Sequence, residues 1–121
     1  MKNQSQVKSF AVAFAGIGRA FKGELHMKVH LVFAVLALLA CWLLRIETWG
    51  WCVVIICIGM VVAAEVLNTS IESLCDKVSP EFDELIKLAK DAAAGAVLVL
   101  AITSVVAGLI VYISAIINLI G

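Results

Sequence analysis

Three apolar runs, each about long enough to cross a lipid bilayer, leave this chain few ways to fold. The first covers residues 29–46, where Arg45 is the one Lys, Arg, Asp or Glu. The second opens near Trp49 and runs to residue 68. The third covers residues 95–120, after an entry of small residues, Ala92-Ala-Ala-Gly95-Ala96. In hydrocarbon each backbone N–H and C=O must be satisfied within the segment or by a closed barrel, so such runs are read as helices. The first run is about 27 Å long as a helix, slightly short of a ~30 Å core, and Lys28 and Arg45 extend it by snorkelling. Trp42, Trp49 and Trp51 cluster at the far connection, where an interfacial aromatic belt is expected.

Composition closes off the soluble alternative. Hydrophobic residues make up 64% of the chain, with a mean hydropathy of +1.11, against roughly 45–50% apolar usage in soluble domains. A chain of 121 residues forms one domain at most and cannot bury that much apolar surface by itself. The four cysteines, Cys41, Cys52, Cys57 and Cys75, show neither CxxC pairing nor zinc-ligand spacing and read as packing residues. No cleavable signal is evident, so the first span itself directs insertion.

Ahead of the spans, residues 6–27 place Val7, Phe10, Phe14, Ile17, Phe21 and Leu25 at steps of three or four, with Lys8, Arg19 and Lys22 among them. That pattern predicts an amphipathic helix lying in the membrane interface. Net charge is zero, yet of the nine basic residues only Arg45 falls in the connection between the first two spans. The positive-inside rule then puts the N-terminus and the middle loop in the cytoplasm. Acidic residues interleaved with the lysines exclude a nucleic-acid surface. The segment Ser79-Pro80-Glu81-Phe82-Asp83-Glu84 reads as a helix start, with proline near the first turn and acids over the dipole. Three helices give an intramembrane charge little shelter, so a homo-oligomer packed through the small residues of the third span is expected.

The chemistry sits where the second apolar run turns polar. Glu65, Asn68, Glu72 and Asp76 recur at helical spacing and climb one stripe toward water. A carboxylate in a membrane helix costs about 2.5–3.5 kcal/mol on insertion scales, so its presence marks a site. A carboxylate kept in an apolar setting is a stronger base toward a hydroxyl, the role read for Glu65. Glu72, nearer the water, suits a hard divalent cation such as Mg²⁺, and Glu24 at the end of the surface helix completes such an oxygen site. A base at bilayer depth beside an interfacial cation points to a lipid hydroxyl meeting a phosphorylated, water-soluble donor. The competing readings are that Glu65 only pins helices together, or that it relays protons in an assembly subunit or small transporter.

Other motifs carry less. Gly18-Arg-Ala-Phe-Lys-Gly23 has the glycines of a P-loop, but Glu24-Leu25 stands where Lys-Ser/Thr is required and no strand precedes it. His26 and His30 are four apart but lack an H-E-x-x-H core, and read as interfacial histidines touching headgroups or phosphates.

The run Glu65-Val-Leu-Asn68-Thr-Ser-Ile-Glu72-Ser-Leu-Cys-Asp76, with Ala89-Lys90-Asp91 downstream, closely resembles the small prokaryotic integral-membrane lipid kinases. These include diacylglycerol kinase and undecaprenol kinase, and the likeness covers essentially the whole chain. It implies an all-α homotrimer in the bacterial cytoplasmic membrane, with three transmembrane helices, a surface helix, and active sites shared between protomers. It implies ATP as co-substrate and Mg²⁺ as cofactor. Glu65 would be the base and Asn68 would orient groups around the transfer. Glu24 and Glu72 would hold magnesium, and Lys90 and Asp91 would contact nucleotide, with Glu81 and Asp83 near it. Ser5 stands where the better-known diacylglycerol kinases carry a nucleotide-contacting arginine, with Lys8 and Lys2 as nearby substitutes. Residues 23–30, Gly-Glu-Leu-His-Met-Lys-Val-His, are similar to the E-x-N-x-[KR]-I-H pattern of the undecaprenol kinase branch. Undecaprenol is therefore the favoured acceptor and diacylglycerol the alternative.

Overall fold

The computed structural model describes residues 5–22 and 25–121. Four α-helices account for nearly all of them: α1 (Gln6–Phe21), α2 (Leu25–Leu43), α3 (Thr48–Val78) and α4 (Glu84–Ile120). The all-α expectation is met, and α2, α3 and α4 are each long and apolar enough to cross a membrane. At 31 and 37 residues, α3 and α4 extend about 46 and 55 Å, well beyond a ~30 Å hydrocarbon core. Their surplus lies at the end carrying Asp76, Lys77 and the charged start of α4. The two helices therefore continue past the membrane as an antiparallel pair.

Several boundaries differ from the sequence reading. The first helix stops at Phe21, capped when the Lys22 N–H returns to the Arg19 carbonyl, and Leu25, expected in the surface helix, opens α2 instead. Ser5 caps α1 by accepting the Lys8 N–H at 3.2 Å. Pro80 lies outside any helix. Asp83 begins α4, its Oδ1 accepting the N–H groups of Leu85 (2.9 Å) and Ile86 (3.1 Å). An Asp side chain that satisfies two orphan donors outcompetes a proline upstream as the start signal.

The packed centre lies at the α2–α3 turn. Cys41, Ile46, Val54 and Val111 are buried together, with Leu44, Trp51, Ile58 and Tyr112 packed around them. Helix α2 ends in a Schellman turn. The Ile46 N–H reaches the Cys41 carbonyl (3.0 Å), the Arg45 N–H reaches that of Trp42 (3.4 Å), and Arg45 takes a left-handed φ of 53°. Gly50 then lets α3 pass close to α4: a Cβ there would overlap the Ile46 side chain and come within 2.9 Å of Val111 Cγ1. Tyr112 ties α4 to α2 by donating its hydroxyl to the Ala37 carbonyl at 2.8 Å. Among the cysteines, Cys41 and Cys75 are buried, whereas Cys52 is exposed and Cys57 half-buried.

Outside this centre most of the large apolar side chains face outward. Phe33, Leu36, Leu98, Ile102 and Ile110 are all exposed, as membrane-facing or subunit-facing residues are. In the small-residue entry at 92–96, a Cβ on Gly95 would meet nothing within 4 Å, so no neighbouring helix crowds that glycine within the chain. On α1, Val7, Phe10 and Phe14 are exposed and only Ala20 is buried.

Candidate active site

The polar stripe of α3 exists as a physical feature. Counting from Thr48, Glu65 lies about 26 Å along the helix, near the inner edge of a ~30 Å apolar layer. It is the sole buried charged residue among those described, at 5% exposure. One turn on, Asn68 Nδ2 donates to Glu72 Oε1 at 3.0 Å. This bond fixes the Glu72 carboxylate and leaves its second oxygen for another partner. Asn68 Oδ1 is buried without a partner. An orphaned acceptor of this kind is uncommon in a folded protein.

What meets Glu65 was not anticipated. His30 Nε2 on α2 lies 3.1 Å from Glu65 Oε1, with the histidine side chain 24% exposed and the glutamate 7%. By sequence His30 reads as an interfacial histidine touching headgroups or phosphates; its ring is instead turned to the carboxylate of a neighbouring helix. His26, four residues earlier, is exposed. His30 also lines a cleft of about 460 Å³ between α2, α3 and α4, with largely apolar walls that include Phe33, Val61 and Val105.

Beyond the membrane the α3–α4 pair carries charge. Lys90 Nζ donates to Asp76 Oδ1 at 2.6 Å, joining the end of the stripe to α4. Asp76 is thus paired while its side chain stays largely exposed to water. The segment lies ahead of the 95–120 span, and the hydrogen bond from Asp76 holds the Lys90 ammonium above its ordinary pKa. Lys87 pairs with Asp91 one turn away on the same helix. Asp83 is engaged in capping, and Glu81, exposed, accepts the Ser79 hydroxyl at its backbone carbonyl (3.0 Å). Glu24 lies outside the described residues. Glu65, Asn68, Glu72 and Asp76 therefore follow one another along α3 from bilayer depth to water, with Asn68 bonded to Glu72 and Asp76 to Lys90, while Glu81 and Asp83 lie in and beside the α3–α4 connection.

Residues 11–112 match the family model described as prokaryotic diacylglycerol kinase. The chain belongs to that family. Among curated relatives it is 39% identical over 101 residues to a diacylglycerol kinase of Synechocystis sp., covering 83% of this chain and 58% of that protein. It thus spans a little over half the length of that relative. It is 35% identical over 105 residues to the undecaprenol kinase of Bacillus subtilis, covering 87% of this chain and 85% of the relative. It is 30% identical over 101 residues to the diacylglycerol kinase of Escherichia coli K12, covering 83% and 82%. Membership and the three apolar helices together make this a multi-pass membrane protein.

Proposed function

We propose that the protein is an ATP- and Mg²⁺-dependent lipid kinase that phosphorylates the hydroxyl of a membrane lipid alcohol, with undecaprenol preferred over diacylglycerol. The observation that carries this reading is the buried Glu65 carboxylate at the inner edge of the apolar layer, one turn from the Asn68–Glu72 hydrogen bond. A phosphoryl transfer to a lipid needs a base that reaches a hydroxyl at the interface and oxygen ligands for a cation just outside it. The α3 stripe supplies both along one helix face.

In this reading Glu65 takes the proton from the lipid alcohol as its oxygen forms the new bond to the γ-phosphorus of ATP, and the bond to the bridging oxygen of ADP breaks. Asn68 keeps Glu72 oriented and offers its free Oδ1 to the reacting groups. Glu72, with Glu24, would hold magnesium, and the all-oxygen donor set suits that hard cation. When bound, the cation neutralises charge on the ATP phosphates. Lys90 and Asp91 would contact nucleotide, as would Glu81 and Asp83 in and beside the α3–α4 connection. Positioning and charge neutralisation then carry the reaction without a P-loop.

The same reading takes α1 as a helix in the interface, the N-terminus as cytoplasmic, the bacterial inner membrane as its location and a homotrimer as the working unit. The uncovered α1 side chains support the interfacial helix, the open space at Gly95 leaves room for a neighbouring subunit, and the distribution of basic residues supports the orientation. Preference for undecaprenol rests on the pattern of residues 23–30; the relatives named diacylglycerol kinase keep the second acceptor in play.

The test is an assay of the purified chain in mixed micelles with γ-labelled ATP and, side by side, undecaprenol and diacylglycerol. Label in extracted lipid, more of it with undecaprenol, is the expected result, and Glu72→Gln should need several times more Mg²⁺ for half-maximal rate. A folded oligomer that labels no lipid would instead favour an assembly or transport role.

A further inference from the structure

We infer that His30 is a positioning residue for the base, holding one oxygen of Glu65 so that the other faces the acceptor hydroxyl. The inference rests on the kinase reading and extends it to a residue on a different helix. The imidazole lies 3.1 Å from Oε1, within reach of a hydrogen bond. Val61 and Ala64 are buried beside Glu65 on α3, and the His30 ring is its polar contact among the described residues. A carboxylate there with no partner would swing between rotamers, and each oxygen would compete for the same proton.

The ring also looks the other way. His30 lines the cleft between α2, α3 and α4, where the remaining polar lining comes from Ser104 and Tyr112 on α4 and the Cys57 thiol on α3. Glu65 is therefore the charged group that faces the imidazole from α3, and α4 brings only hydroxyls. Packing of α2 on α3 by itself needs no imidazole at this place; the ring answers the buried Glu65 carboxylate, which an apolar side chain would leave unpaired. With Oε1 held by His30, the second oxygen accepts the alcohol proton while the alcohol oxygen bonds to phosphorus and the ADP oxygen leaves. His30 itself neither gains nor loses a proton in this step.

Three variants of the full-length chain decide the matter, assayed in micelles with ATP and whichever of undecaprenol or diacylglycerol the unmutated chain phosphorylates. His30→Leu keeps bulk and removes the N–H. Its kcat should fall on the order of 10²-fold with the KM for ATP unchanged, as expected when a reacting group is misplaced by about 1 Å. His30→Gln keeps an N–H donor and should recover about tenfold of that loss. His30→Ala should be partly restored by added imidazole, which no purely structural role explains. A His30→Leu protein that assembles and keeps kcat within about twofold of the unmutated chain would overturn the inference. So would a Gln variant no better than Leu together with an Ala variant indifferent to imidazole. If His30→Leu does not assemble, the Gln and Ala variants decide on the same terms. An unmutated chain that labels neither lipid overturns the kinase reading, and the inference with it; a labelled lipid with insensitive His30 variants overturns the inference alone.

Discussion

At the α2–α3 turn Cys41, Ile46, Val54 and Val111 close into a buried apolar cluster, whereas at the other end Glu65, Asn68, Glu72 and Asp76 are held by single polar contacts. The first region is dense enough that a glycine is required for α3 to pass Val111. The second contains an acceptor oxygen with no partner and a buried carboxylate beside a single histidine. Packing that leaves no room fixes where the helices cross, and loosely satisfied polar groups remain free to meet a substrate. Under the proposed kinase reading, stability and chemistry thus sit at opposite ends of the same helices.

That contrast predicts that substitutions at the two ends fail differently. Glu65→Gln is expected to have the largest effect. It keeps the shape and an oxygen for His30 but removes the base, so lipid phosphorylation should drop by at least about 10²–10⁴-fold while the unfolding midpoint and the oligomer persist. Retained turnover in that variant would remove Glu65 from the reaction. At the packed end Gly50→Ala should do the opposite. Forcing a methyl against Ile46 and Val111 should cost about 1–3 kcal/mol of stability, read from denaturant unfolding in micelles, with turnover per folded molecule unchanged. An unaffected midpoint would mean that the turn yields more easily than its geometry implies. The smallest effect is expected at Arg45, which is exposed and left-handed. Arg45→Gly relieves a conformation that costs a residue with a Cβ about 1 kcal/mol, so stability should rise by no more than that. A fall in stability would show that the Arg45 side chain anchors the turn at the membrane surface.

The sequence marked the stripe because a single helix carries it. Glu65, Asn68, Glu72 and Asp76 are adjacent on α3 through spacing alone, and the Asn68–Glu72 bond is a four-residue contact. The three long helices were equally legible, since apolar length is a local property. Helix ends were read less well. Phe21 ends α1 six residues before the expected limit, and Asp83 rather than Pro80 sets the start of α4. Both boundaries depend on which backbone groups find partners, and more than one signal in the local sequence competes for that choice. His30 was misassigned for a different reason. It lies 35 positions from Glu65 (65 minus 30) on another helix, and nothing in either segment states which faces meet.

Hydropathy and helical period, properties of each segment alone, determined that this chain crosses a membrane as helices and carries its polar groups on one face of α3. The structure alone decided how far each helix turns about its axis and how deep it sits against its neighbours. Those two choices put His30 on Glu65, Lys90 on Asp76 and Gly50 against Val111. They are set by side-chain packing summed over whole helices, so no local pattern contains them.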